Sequence, residues 1–177
     1  MDILAHGLWT AALFKYFNKK NKFNLKLAAF WGVFPDIFAF TIPFIYILWN
    51  IIFNKFSPPS PAALEPVSKM PLSNLTHILY NISHSIIIFL LIFILSVIIF
   101  RKIFWEIFGW LLHILIDIPS HSYNFFPTPF LWPLSDWKFT QGISWISPWF
   151  MIINYSFLII VYVYLFRYKL FKRKTSK

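Results

Sequence analysis

Long apolar runs, rather than an alternation of apolar and polar positions, dominate the chain. Residues 26–53, 75–100, 103–118 and 144–168 are nearly uncharged, and each is bounded by polar or basic positions. An apolar helix of roughly 20 residues crosses the hydrocarbon core of a bilayer, so these four runs predict spans, the 103–118 run being short but sufficient with its flanks. A fifth segment, 3–17, is apolar but interrupted by His6 and Gly7, and predicts a short N-terminal helix. The expected fold is all-α: a polytopic membrane helix bundle of four long spans plus that short helix, forming a single membrane-embedded domain over 1–177.

The connections differ in character. The stretch 54–74 contains Ser57-Pro58-Pro59-Ser60-Pro61 and Pro66, which keep a chain extended and non-helical. Residues 119–143 place Pro127, Pro129 and Pro133 among Phe125, Phe126, Phe130, Trp132 and Trp137. Aromatic rings beside helix-breaking prolines predict an external lid lying on the outer membrane interface, where such rings prefer to sit.

Composition removes other classes. With 59% hydrophobic, 23% aromatic and 12% charged residues, a water-soluble domain of this length has nowhere to bury its apolar surface, and a disordered chain would be poor in aromatics. The absence of cysteine excludes a disulfide framework, a thiol nucleophile and a thiolate metal site, so any metal must rest on imidazole and carboxylate. The net charge of +10 is topological rather than a sign of nucleic acid. Lys15, Lys19, Lys20, Lys22 and Lys26 lie in the first connection, Arg101 and Lys102 in the third, and Arg167, Lys169, Lys172, Arg173, Lys174 and Lys177 at the end. Of the 16 basic residues only Lys55, Lys69 and Lys138 fall elsewhere. This asymmetry predicts an external N-terminus and a basic cytoplasmic tail over 169–177, in contact with the lipid bilayer. Asp2 replaces the basic start of a secretory signal, so 3–17 is expected to belong to the mature protein.

Candidate chemistry lies inside the apolar runs. A carboxylate in a membrane span costs about 2.5 to 3.5 kcal/mol on insertion scales, which reserves such positions for inward-facing, functional groups. At a rise of roughly 1.5 Å per residue, Asp36 lies about 15 Å beyond Lys26, His6 about 13 Å from Lys15, His113 about 16 Å beyond Lys102 and His84 about 15 Å inward from Asn74. All four therefore approach the midplane of a core about 30 Å thick. Asp117, one turn past His113, shares its helix face. His77, Asn81 and His84 form a second stripe, expected to face the bundle interior. Pro35 is expected to kink its helix just before Asp36. His77 and His121 read more simply as interhelical hydrogen bonders, with His121 in the external loop. Glu106 reads as an ion-paired or snorkelling residue near Lys102, and Asp136 as solvated lid beside Lys138.

His6, Gly32-Val33-Phe34-Pro35-Asp36, Ser83-His84-Ser85 and His113-Ile114-Leu115-Ile116-Asp117, in this order, resemble the small bacterial inner-membrane proteins described as metal-dependent hydrolases. The segment Asp117-Ile118-Pro119-Ser120-His121-Ser122 with the aromatic stretch after it is similar to a subgroup with a long last loop. Relatives carry a second Asp two places after the Pro-Asp pair and a His-Arg pair before the central His, where this chain has Phe38, Tyr80 and Asn81. The resemblance implies membrane-bound hydrolysis with a divalent metal.

Three imidazoles and two carboxylates suit zinc, as one ion or two, held by His6, Asp36, His84, His113 and Asp117. Whichever of Asp36 and Asp117 is not a ligand serves as general base toward water. A midplane site open to the outer leaflet suits an amphiphilic substrate with a lipid-like phosphoester or ester. The competing expectation from the same residues is a protein that translocates protons or metal ions, and the third is a structural membrane protein whose polar groups join helices.

Overall fold

The structure, a computed structural model, describes residues 1–18, 22–53, 72–123 and 125–175, with the side chains of the last helix described to 167. Lys19, Lys20 and the proline-rich stretch 54–71, with Lys55 and Lys69, lie outside the described residues, as do the side chains of the basic tail. Six α-helices follow in order: α1 (Ile3–Phe17), α2 (Leu25–Phe53), α3 (Ser73–Ser83), α4 (Ile86–Phe100), α5 (Phe108–Ser120) and α6 (Pro148–Thr175). A 3-10 turn, Trp105–Ile107, leads into α5.

Local chemistry sets the helix limits. Asp2 caps α1 by accepting from Ala5 N at 3.0 Å, and Asn24 Oδ1 accepts from Lys26 N and Leu27 N at the start of α2. Such side-chain acceptors satisfy first-turn N–H groups that have no helical partner. α2 runs as one helix through Pro35 and Pro43, both buried inside it. Ser85 separates α3 from α4, accepting from Ile88 N at 3.2 Å as the cap of α4. The two helices are bent by 57° at this break.

Three apolar spans are the most that the described helices provide. α2 and the Pro148–Arg167 part of α6 are each long and apolar enough to cross a bilayer, and α3 with α4 makes a third if the bent pair is one span. The four long spans expected from the sequence are not all present: α5 has 13 residues, a rise of about 20 Å against a core of about 30 Å. Its expected N-terminal end is taken by the 3-10 turn. The last span starts at Pro148 rather than at 144, as proline at the first helical position allows, and helix continues to Thr175 into the expected tail.

α2 is the hub, packing against α1, α3 and α5, while α6 packs against α1. The α1–α2–α5 contact depends on glycine. A Cβ on Gly32 would lie 2.3 Å from Thr10 Oγ1, and one on Gly109 would lie 2.5 Å from the Ala28 carbonyl oxygen. Close backbone approach over small residues is how helices associate in lipid, where apolar burial gives no driving force between them. α6 is joined to α1 by polar groups: Trp9 Nε1 donates to Asn154 Oδ1 at 2.8 Å, Tyr155 OH to Asp2 Oδ1 at 2.8 Å and Tyr162 OH to the Leu8 carbonyl at 3.0 Å.

Glu106 has a role other than the expected ion pair or snorkelling. Its Oε1 accepts from Asn24 N at 2.8 Å, tying the 3-10 turn to the start of α2. Residues of the 119–143 segment bond back to the helices. Ile86 N donates to the Phe130 carbonyl at 3.0 Å, and Ser85 Oγ donates to the Trp132 carbonyl. Ile143 N reaches Pro119 O at 2.8 Å, where Gly142 is needed because a Cβ there would lie 1.8 Å from the His121 carbonyl oxygen.

Candidate metal centre

Four elements converge beneath this loop. α2 supplies Asp36, the residue closing α3 is His84, α5 supplies His113 and Asp117, and α1 supplies His6. The imidazoles and Asp117 are fully buried, whereas Asp36 keeps a side chain 12% exposed. One ligand atom from each of Asp36, His84, His113 and Asp117 lies within 4.8 Å of every other.

The orientation of the rings is fixed by their far nitrogens. His113 Nδ1 is 2.7 Å from the Gly32 carbonyl oxygen, and His84 Nδ1 is 3.2 Å from the Tyr80 carbonyl oxygen and 2.9 Å from Ser83 Oγ. A carbonyl only accepts, so the tautomer that suits these contacts carries its proton on Nδ1. A neutral ring in that tautomer has its lone pair on Nε2. These two Nε2 atoms are 3.0 Å apart, and they face Asp117 Oδ2 at 3.4 and 3.2 Å and Asp36 Oδ1 at 3.6 and 3.7 Å. Two lone pairs and two carboxylates aimed at one point repel unless a cation, proton or metal ion, lies among them. Neighbouring ligands of a tetrahedral ion with bonds near 2 Å are about 3.3 Å apart, close to most of these separations. Asp117 Oδ2 is buried without a hydrogen-bond partner. Donation of the second ring nitrogen to a backbone carbonyl is also the usual way metal-ligating imidazoles are held. The residues fit a divalent ion.

Gly32 has two functions here. Its missing side chain admits Thr10 and lets α5 approach, and its carbonyl then orients His113. Tyr80 stacks on His84 with ring centroids 3.8 Å apart, and its OH donates to the Phe126 carbonyl at 2.8 Å. Phe126 is buried with φ 45°, a left-handed conformation that costs a bulky residue of order 1–3 kcal/mol. The conformation aims one carbonyl at two donors, Tyr80 OH and His121 Nδ1, the latter at 3.0 Å.

His121 follows α5 at the start of the loop but is buried: its backbone N bonds Asp117 O at 3.1 Å, and its Nε2 lies 3.3 Å from Asp117 Oδ1. His113, Asp117 and His121 recur every four residues, the signal that would have joined them. His77, conversely, does not share the interior stripe with His84. It is exposed and lies against Phe126, ring centroids 5.3 Å apart.

His6 joins the group through Asp117, with Nε2 2.9 Å from Oδ1, and it stacks on His113 with centroids 3.7 Å apart. The Met1 amino nitrogen also contacts Asp117 Oδ1 and is 3.0 Å from His121 Nε2. Comparisons of the chain with known protein families, with curated proteins and with solved structures give no match.

Proposed function

We propose that the protein is a membrane-embedded metal-dependent hydrolase acting on a lipid-like phosphoester or ester. The observation that carries this reading is the His84–His113 pair, its Nε2 atoms 3.0 Å apart between two carboxylates, with both Nδ1 atoms held on carbonyls. A bound divalent ion of the zinc type supplies Lewis-acid polarisation and makes water more acidic. His84, His113 and Asp117 are the residues to hold it, being fully buried and mutually closest. Asp36, slightly farther and partly exposed, takes the general-base role: its carboxylate accepts the proton of a water approaching from the accessible side. Tyr80, stacked on His84, and Gly32, bonded to His113, keep both rings in register.

The membrane setting accompanies this reading. With basic connections on the cytoplasmic face, α5 makes a short fourth pass, and the centre lies under the loop on the outer side of a cytoplasmic-type membrane. A substrate with acyl chains reaches such a depth laterally, which favours an amphiphile.

The test is metal analysis of detergent-purified protein, paired with turnover of phosphoester and carboxylic ester amphiphiles. Co-purifying metal and turnover reduced at least about 100-fold in His113→Ala are expected, since removing a metal's ligand removes the Lewis acid. Absence of metal, or turnover unchanged in His113→Ala, would overturn the proposal.

A further inference from the structure

Asp117 presents its two oxygens to different partners. Oδ2 faces His84 and His113. Oδ1 faces a separate pair, His6 Nε2 at 2.9 Å and His121 Nε2 at 3.3 Å. From these contacts we infer a second divalent-cation position, formed by His6, His121 and Asp117 Oδ1, with the Asp117 carboxylate bridging it to the first. The inference rests on the reading of the first position as a metal site.

Each member fits the role on its own geometry. His121 Nδ1 lies 3.0 Å from the Phe126 carbonyl oxygen and must donate to it, so its neutral ring turns a lone pair on Nε2 toward Asp117. This repeats the arrangement of His84 and His113 with a third carbonyl. His6 is fully buried, and its Nδ1 has no hydrogen-bond partner. Its Nε2 lies 2.9 Å from Asp117 Oδ1, on the same oxygen that His121 Nε2 faces.

The Met1 nitrogen lies against Asp117 Oδ1 and 3.0 Å from His121 Nε2, so a divalent ion entering the position displaces that nitrogen. Two ions sharing a carboxylate would clamp attacking and leaving oxygens of a phosphoester, the use to which paired-metal hydrolases put about 3.5–4 Å spacing.

The experiment is a Zn²⁺ titration of metal-free, detergent-purified full-length protein, with bound metal counted by mass spectrometry. About two equivalents per chain are expected for the wild type and about one for His121→Gln and His6→Gln. Mn²⁺-loaded wild type should also give the electron paramagnetic resonance spectrum of a coupled pair, which each variant converts to that of an isolated ion. One equivalent in the wild type, with no coupled spectrum, overturns the second position, while the first reading stands. No bound metal at all overturns both. If neither variant purifies, the stoichiometry and the Mn²⁺ spectrum of the wild type still decide.

Discussion

α4 and α5 are neighbours of nearly equal length whose residues meet opposite fates. α4 reads IIIFLLIFILSVIIF and buries only Phe89. α5 buries Gly109, Trp110, His113, Ile114, Asp117 and Ser120, the two ionisable residues among them. In water the ranking would be inverted, because apolar area would drive α4 inward. Lipid tails are as apolar as leucine, so in a bilayer hydrophobicity earns no interior place, and groups that lipid cannot solvate are enclosed by protein instead. The more hydrophobic helix is therefore the less informative one.

The sharpest break of this contrast is Asp117→Ala. It removes the carboxylate that faces four imidazoles, and breaking a buried charge network by deleting one partner costs about 3–5 kcal/mol. Both cation positions should empty, and thermal unfolding in detergent should shift by the largest amount of any single substitution outside glycine. Metal content and melting temperature check this together. A wild-type melting temperature would contradict the centre's structural role.

Chelation probes the same region without changing the chain. An ion that binds only the folded state stabilises it by about 2.7 kcal/mol at a hundred times its dissociation constant. Treating purified protein with chelator should lower the melting temperature, and Zn²⁺ should restore it. The same treatment of Asp117→Ala should have no effect, which separates specific binding from solvent effects of the chelator.

Next comes the packing that admits the site. Gly109→Ala would place a Cβ 2.5 Å from the Ala28 carbonyl oxygen and 3.0 Å from Gly32 N, both backbone atoms that no rotamer change can clear. Overpacking of this kind costs about 1–3 kcal/mol. Because Gly32 also carries the carbonyl that orients His113, metal affinity should fall with stability. Isothermal titration with Zn²⁺ measures the first and thermal unfolding the second.

The sequence made parts of this centre legible for definite reasons. His113 and Asp117 follow helical spacing, and Asp36, His84 and His6 agree in depth because the apolar runs act as rulers. These five do meet. The part of His121 in the centre is hidden in the sequence because Pro119, two residues before it, reads as the end of a helix; Pro119 instead lies inside α5, and His121, just after it, is buried against Asp117. The stripe through His77 failed because α3 stops at Ser83 and bends into α4, leaving His84 at the joint and His77 on the outside. Run length could not reveal that bend, though Ser85 between two apolar stretches is a capping residue and marks it. The length of α5 was obscured in the same way, as apolar residues before it continue into a 3-10 turn rather than a helix.

The smallest expected effect belongs to α4 and gives the comparison its control. Leu91, Ile94 and Ile98 are exposed along this helix. Replacing each by alanine removes area that faces lipid in folded and unfolded membrane-bound states alike, so each should change stability by less than about 0.5 kcal/mol. A loss of several kcal/mol would show that this face is covered by protein. Leu91→Lys tests the other half of the claim. A lysine at mid-helix costs about 2.5–3.5 kcal/mol on insertion scales, so the amount of protein reaching the membrane should fall, while the fraction that inserts keeps its metal. Metal content per purified chain, unchanged in all four variants, separates a helix that only meets lipid from one that builds the centre.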